Sequence, residues 1–351
     1  MTTPTIRIGF IGAGSISRAR HLPNLQKLAG VEIVAVSNRS RASAQAVARD
    51  FGIPKVIDDW RELLKQSDLD AVFIGTWPYT HCEMSIAALE AGKHVFCQAR
   101  MAMNLAEARA MLVAAQAHPT LVSQICPPPT RMPFEPFVRS LLSHGELGDI
   151  YSVELLSRSG ANLQTDAVHW RELREFSGNQ VMAVGIYAET LNAWVGPYAQ
   201  LTACTATPIA AKHSAGRSVP IDVPQVVMIC GQLENGAVAV EHHLGLASDK
   251  TTPGDSLTIW GRHGTLRYTF GQTLEWAAAG QPLKPVVVPE SLQRGWRVEE
   301  DFIASIHSSR SGGTTRIGMN PDFSEGLAYM KKVEAVHISA STGREAKLAS
   351  L

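Results

Sequence analysis

The chain has 351 residues, too many for one ordinary core, so two domains are expected. Lys plus Arg and Asp plus Glu each number 32, and this zero formal charge gives no electrostatic case for nucleic acid or an anionic membrane as partner. No stretch approaches the roughly 20 apolar residues of a membrane span, and the first residues carry no basic-then-apolar leader. Cys82, Cys97, Cys126, Cys204 and Cys230 are odd in number and form no CxxC pair, so they read as reduced buried thiols of a cytoplasmic protein.

Residues 1–125 alternate strand and helix patterns. Ile6 to Ile11 is an apolar run of the kind a parallel strand buried on both faces shows. A glycine turn and a helical segment to about Leu28 follow. Val31 to Val36, Ala71 to Ile74, His94 to Cys97 and Thr120 to Gln124 read as further strands. Ser40 to Phe51, His81 to Ala91 and Leu105 to Ala117 read as the helices between them, with Gly92 in a C-cap role. Such alternation predicts a doubly wound parallel sheet.

The pattern changes at Cys126. Pro127, Pro128 and Pro129 cannot continue a helix or a central strand, and they read as a link into a second domain over 126–351. Helices are expected near 133–143 and 184–195. Apolar runs at 151–156, 225–232, 237–244, 256–260 and 265–270 are spaced like an α+β domain on a large, mostly antiparallel open sheet. The helical tail, 322–341, is expected to pack back on the first domain.

Gly12-Ala13-Gly14-Ser15-Ile16-Ser17 closes the first strand and opens a helix. Gly12 permits a tight turn, Gly14 lets a backbone approach a pyrophosphate, and the N–H groups at Ser15 and Ile16 begin a helix whose dipole favours that anion. Ser17, in the third glycine's place, is small enough for close helix–strand packing. The alternative is a plain glycine turn in an α/β domain.

The end of the second strand bears on the cofactor. An NAD site places an acid there to accept from the ribose 2′-OH. This chain has Ser37-Asn38-Arg39-Ser40-Arg41, with no acid and two arginines that can grip a 2′-phosphate. NADP(H) is therefore expected over NAD. The alternative is that these are solvated residues at a helix start.

On these residues the chain resembles the Gfo/Idh/MocA oxidoreductases. GFIGAGSISRARHLP is similar to that family's opening. Gly75-Thr76-Trp77-Pro78-Tyr79-Thr80-His81 with AALEAGKHVFC, Gly145-Glu146-Leu147-Gly148, the segment from Ser177 to Gly196 and the tail VEAVHISASTGREAKL resemble its later blocks. The resemblance implies a small-molecule substrate, hydride transfer to or from a sugar, polyol or other hydroxyl compound, and a homodimer or homotetramer joined through the second domain's sheet. It implies that Thr76, Trp77, His81, Gln98, Trp170 and Arg171 line the cofactor site, with His81 positioning rather than reacting.

Departures from the family pattern stand at its proton-handling positions. Where the family shows Glu-Lys-Pro this chain has Gln98-Ala99-Arg100, and Ala99 cannot transfer a proton. Ala183, Tyr187 and Thr190 stand where the family's central helix carries Asp, His and Asp. Three residues are candidates to substitute. Tyr187 could exchange a proton if a nearby cation lowers its pKa from about 10. Arg100 could supply that cation or bind a carboxylate. His169 titrates near neutrality. The plainer alternatives are a packed tyrosine, a phosphate or surface contact for Arg100, and a hydrogen-bonded loop histidine. No metal is expected: His242 and His243 are strand neighbours that point to opposite faces, and no metal-ligand motif is present.

The leading expectation is an NADP(H)-dependent oxidoreductase with a non-standard proton relay, acting on a carbonyl, imine, enone or hydroxyl compound. A second is a nicotinamide-dependent lyase, hydratase or epimerase without net redox change. A third is a non-catalytic NADP-binding regulator.

Overall fold

The computed structural model describes residues 4–129, 131–179, 184–249 and 254–351. They divide into two compact units, one of residues 4–127 with 297–327, the other of 128–296 with 328–351.

In the first unit β1 (Ile6–Ile11), β2 (Val31–Ser37), β3 (Lys55–Val56), β4 (Ala71–Ile74), β5 (His94–Cys97) and β6 (Ser123–Ile125) form one sheet in the order β3-β2-β1-β4-β5-β6. Every pairing is parallel. The central strands are apolar because helices cover both faces, and Ile8, Phe10, Val72 and Phe96 are at most 1% exposed. Phe10 stacks on Phe73 at 5.1 Å and Phe73 on Phe96 at 4.5 Å. Each such ring stabilises the unit by roughly 1.5–3 kcal/mol when fully buried.

The segment 297–327 belongs to this unit, although the sequence suggests a continuous second domain from 126 to 351. Its helix Val298–Arg310 sets Phe302 edge-on to Phe73 and Phe96, at 5.3 and 5.5 Å. Arg310 pairs with Asp70 at 2.5 Å, and Gln124 donates to Ser305 Oγ at 2.9 Å. The division falls inside the helix Phe323–Thr342, so the tail does not belong wholly to the first unit.

The second unit is built on nine strands. They are β7 (Ile150–Arg158), β8 (Tyr198–Ala206), β11 (Val226–Leu233), β12 (Val238–Leu244), β13 (Ser256–Gly261), β14 (Gly264–Thr269), β15 (Thr273–Ala278), β16 (Lys284–Pro285) and β17 (Ala346–Lys347). The order is β16-β15-β14-β13-β7-β12-β11-β8-β17, and β9 (Ala211–Ser214) with β10 (Arg217–Pro220) makes a separate ribbon. β7 and β12 run parallel, while the other neighbours pair antiparallel. The inner face alternates as a half-buried sheet should: Val153, Leu155, Ile229, Leu257 and Tyr268 are buried in one core with Leu191 and Trp194 of the helix Val184–Val195. The outer face keeps apolar side chains exposed, among them Met228, Val238, Val240 and Trp260.

Inside that core lie charges. Glu241 and His243 point inward from β12, and both are fully buried, as is Lys332 of the helix Phe323–Thr342. Glu241 Oε1 accepts from Lys332 Nζ at 2.5 Å and from the Tyr198 hydroxyl at 2.7 Å, and Oε2 lies 3.0 Å from His243 Nε2. The Glu241 carboxylate and the Lys332 ammonium thus compensate each other, while His243 Nδ1 has no hydrogen-bond partner among the described residues.

Candidate functional site

The carboxyl ends of the parallel strands gather the sequence-predicted glycines. β1 ends at Ile11, and Gly12 follows with φ of +80°. A Cβ at Gly12 would stand 2.8 Å from the Thr76 backbone nitrogen, so both conformation and space require glycine. Gly75 is closed in the same way, by Ser17 Oγ at 2.6 Å. Gly14 differs. A Cβ there would meet nothing of the protein nearer than the Gly75 carbonyl oxygen at 3.8 Å. The fold leaves room above Gly14, which is where a dinucleotide's pyrophosphate needs it. Gly14, Ser15 and Ile16 are exposed at the start of the helical segment 15–25, so their N–H groups suit that anion.

The cleft is about 220 Å³, with walls that include Gly12, Gly14, Asn38, Arg39, Thr76 and Trp77. Ala13, Gly75 and Tyr79, which stand in the quoted motifs without an assigned role, also line it, as does Ser43, which the sequence did not mark. Asn38 is a brace: Oδ1 accepts from Ala13 N–H at 2.7 Å and Nδ2 donates to Ser43 Oγ at 2.8 Å. Ser40 caps the helix Arg41–Phe51. Arg39 lies with its guanidinium carbon 5.7 Å from the centre of the Trp77 ring, the stacking arrangement open to arginine. Arg41, offered by the sequence as a second phosphate ligand, is not in the cleft wall, and it pairs with Asp58 at 2.6 Å. Ser37 is buried behind the loop, and its carbonyl accepts from Gly12 N–H at 2.8 Å.

His81 is fully buried, with Nδ1 2.8 Å from the Arg100 carbonyl oxygen and Nε2 3.1 Å from that of Thr76. Burial pushes its pKa down against the pull of those carbonyls. It ties the β4 turn to the segment after β5. There the Ala99–Arg100 peptide is cis and Arg100 is buried. Gln98 donates its backbone N–H to Ile74 O at 2.9 Å, which sets it beside Gly75 at the strand ends.

His169, Trp170, Arg171 and Tyr187 belong to the second unit. His169 caps the short helix Trp170–Glu172: its Nδ1 accepts from Arg171 N–H at 3.2 Å, and Glu172 returns the bond to the His169 N–H at 2.9 Å. Glu172 is held by Lys212 at 2.8 Å. Partial burial, then the Arg171 and Lys212 charges, push the His169 pKa down, so the ring is neutral at pH 7. The Arg171 guanidinium stacks 4.2 Å from the Trp170 ring centre.

Tyr187 corrects the sequence reading. The group that meets its hydroxyl is a carboxylate, Asp255, to which it donates. Burial first, and the Asp255 charge second, push the Tyr187 pKa far above the ordinary phenol value. Burial and the Asp255 charge therefore both disfavour the phenolate that a neighbouring cation would favour. Asp255 also accepts from Arg158 N–H at 2.8 Å, and nothing in the sequence marks it, because it stands 68 positions from Tyr187. Thr190 is fully buried, and Ala183 lies outside the described residues. Among the described residues no three His, Cys, Asp or Glu side chains are grouped as a metal site, and no helix is long and apolar enough to cross a membrane.

The parallel sheet, the glycine turn and the cleft define a dinucleotide-binding Rossmann unit, and the second unit is built on an open mixed sheet. Residues 6–125 match the profile described as "Oxidoreductase family, NAD-binding Rossmann fold", and residues 137–267 match that of the Gfo/Idh/MocA C-terminal domain. The chain belongs to the Gfo/Idh/MocA family of oxidoreductases. It is similar to the uncharacterized oxidoreductase sll0816 of Synechocystis sp., 27% identical over 83% of this chain and 81% of that one. It is similar to the 1,5-anhydro-D-fructose reductase of Ensifer adhaerens, 38% identical over 31% of this chain and 33% of that one. In structure it is similar to a levoglucosan dehydrogenase in complex with NADH and L-sorbose, with a TM-score of 0.85, 22% identity, and 98% and 99% of the two chains covered.

Proposed function

We propose that this protein is an NADP(H)-dependent oxidoreductase of a small sugar-like or carboxylated compound, reacting at a carbonyl, imine, enone or hydroxyl group. The observation that carries the cofactor reading is the end of β2. No carboxylate stands there, and Arg39 lines the cleft where a 2′-phosphate needs a cation. The names of the relatives, a reductase of 1,5-anhydro-D-fructose and a dehydrogenase of levoglucosan, support a sugar or polyol substrate. Titration of the purified chain with NADPH and NADH tests the cofactor, and tighter binding of NADH would sink it.

Gly12, Gly14, Ser15 and Ile16 would hold the pyrophosphate, while Asn38, Arg39, Thr76 and Trp77 would hold the adenosine half. His81, Gln98, Trp170 and Arg171 are assigned to the rest of the cofactor site. When bound, a nicotinamide would supply or accept the hydride. Proton transfer then falls to this chain's own side chains. Among the second unit's own residues the Asp255 carboxylate is the candidate acid or base for a substrate hydroxyl, with the Tyr187 hydroxyl donating to it. His169 is the neutral base held in reserve, and Arg100, a permanent cation, suits a substrate carboxylate or developing oxyanion.

Asp255→Asn is expected to lower kcat about a hundred- to ten-thousandfold, the usual contribution of a positioned acid or base. Tyr187→Phe removes only the orienting donor and should cost about tenfold. Cofactor affinity should be unchanged in both. Undiminished turnover by Asp255→Asn would remove the carboxylate from the mechanism.

Of the five free thiols, Cys204 and Cys230 are exposed rather than buried as the sequence suggested, and unpaired thiols fit a reducing cytoplasm. The exposed apolar side chains on the outer sheet face, such as Met228, Val238 and Trp260, favour a homodimer or homotetramer through that face.

A further inference from the structure

We propose that His21 and Glu299 are positioning residues that turn the side-chain amide of Gln98 so that its carbonyl oxygen serves the cofactor's carboxamide N–H2 group. The assignment rests on the dinucleotide reading above and deepens it. His21 and Glu299 stand 278 positions apart, in the same compact unit, and both are about 1% exposed. His21 Nδ1 lies 2.5 Å from Glu299 Oε1, and Asn24 Nδ2 donates to Glu299 Oε2 at 3.3 Å. His21 Nε2 lies 2.6 Å from the amide nitrogen of Gln98.

The donor logic of this chain has one direction. A carboxylate only accepts, so the proton between it and the ring sits on Nδ1. An amide N–H2 only donates, so Nε2 presents its lone pair. The imidazole is thus held as one tautomer between an acceptor and a donor. Gln98 spends its N–H2 on His21, and the carbonyl oxygen is left as the end of the amide that faces elsewhere. Gln98 follows directly on β5, at the carboxyl edge of the sheet, where ligands bind in doubly wound folds. Its backbone is pinned to Ile74, next to the glycine that closes the cleft. An acceptor fixed there calls for a ligand donor, and the carboxamide of a nicotinamide carries one.

Anchoring the helix Val298–Arg310 does not require these groups. Phe302, the Arg310–Asp70 pair and the Ser305–Gln124 bond already fasten it. His21 packs 5.6 Å from Phe73 and 5.4 Å from Phe96, where a phenyl ring would pack without burying a polar group. A buried carboxylate and imidazole in an aromatic setting are costly, and orienting a strand-end amide gives them a purpose.

The test is calorimetric titration of the full chain with three kinds of probe. The first is NADPH or NADH, whichever binds more tightly. The second is its 3-acetylpyridine analogue, in which a methyl group replaces the amide N–H2. The third is the adenosine half alone, adenosine 2′,5′-bisphosphate or AMP to match. Unsubstituted protein is expected to bind the carboxamide form about tenfold more tightly than the acetyl form, one hydrogen bond's worth. His21→Phe, which keeps the aromatic packing, and Gln98→Leu should each abolish that preference while the adenosine half binds as before. Glu299→Gln, which retains an acceptor, should restore most of it where Glu299→Leu does not. A preference that survives His21→Phe overturns the assignment, and so does parallel loss of the adenosine half. Failure of the unsubstituted chain to bind any of the three overturns the dinucleotide reading itself. Nitrogen-15 spectra of His21 in the unsubstituted protein provide an arm independent of folding: protonation at Nδ1 alone is expected, and a ring protonated at both nitrogens would reverse the amide and overturn the proposal.

Discussion

Replacing Arg39 by aspartate is expected to weaken NADPH binding about a hundredfold, while NADH binding stays within about twofold. A hundredfold is roughly 2.8 kcal/mol, within the range of hydrogen bonds to a charged group. Arg39 is the cation in the cleft wall, held near the Trp77 ring. Arg41 is engaged with Asp58 and outside that wall, so it is poorly placed to compensate. The substitution also brings a carboxylate toward a 2′-phosphate, which repels it, and offers an acceptor to a ribose 2′-OH. Titration calorimetry of both cofactors against both proteins measures the switch. Equal loss for NADPH and NADH would show that Arg39 supports the loop rather than the phosphate.

Lys332→Met should be the most damaging single substitution in the second unit, costing about 3–5 kcal/mol of folding stability. The methionine fills much of the same volume but leaves the Glu241 carboxylate with no cation at 2.5 Å, at a site fully closed to water. The double substitution Lys332→Met, Glu241→Leu should recover a large part of that loss, because it removes the uncompensated charge and keeps the packing. Urea unfolding of the three proteins gives the comparison. A Lys332→Met loss below about 1 kcal/mol would mean that the pair is not needed to hold the helix Phe323–Thr342 on the sheet.

The same pair sets an acid limit. Burial pushes the Glu241 carboxyl up, but the Lys332 charge and the His243 hydrogen bond outweigh it and hold the pKa at about 2, against 4.5 for the free side chain. A folded-state value below the unfolded one stabilises the fold at pH above 4.5, and that contribution is lost as pH falls from there through about 2. Loss of stability across that window should shrink when Glu241 is replaced by Leu alongside Lys332→Met.

Much of the first unit could be read from local sequence because its physics is local. An apolar strand, a glycine turn and a helix start are consecutive in Ile6 to Ser17, and strand–helix alternation with short connections leaves the chain little choice but a parallel sheet. Gly12 is legible for the same reason, since its backbone angle is a property of the turn. Gly14 is legible only in part: the sequence marks it, but the open space above it belongs to the folded loop.

Partners far apart in the chain were beyond that reading. Arg39 and Arg41 are alike as letters, yet Asp58 engages one while the other lines the cleft. The helix Val298–Arg310 was not among the elements expected from sequence, and the fit of Phe302 on Phe73 and Phe96 shows which core it completes. The family resemblance led us to expect that Ala99 stands in place of a lysine. It did not reveal that Tyr187 meets Asp255. A side chain's protonation depends on burial and on the charge beside it, and both are set by chain closure over tens to hundreds of residues. Tyr187 beside a cation would have been a candidate phenolate. Folded against Asp255 it is a donor, and the carboxylate becomes the candidate base.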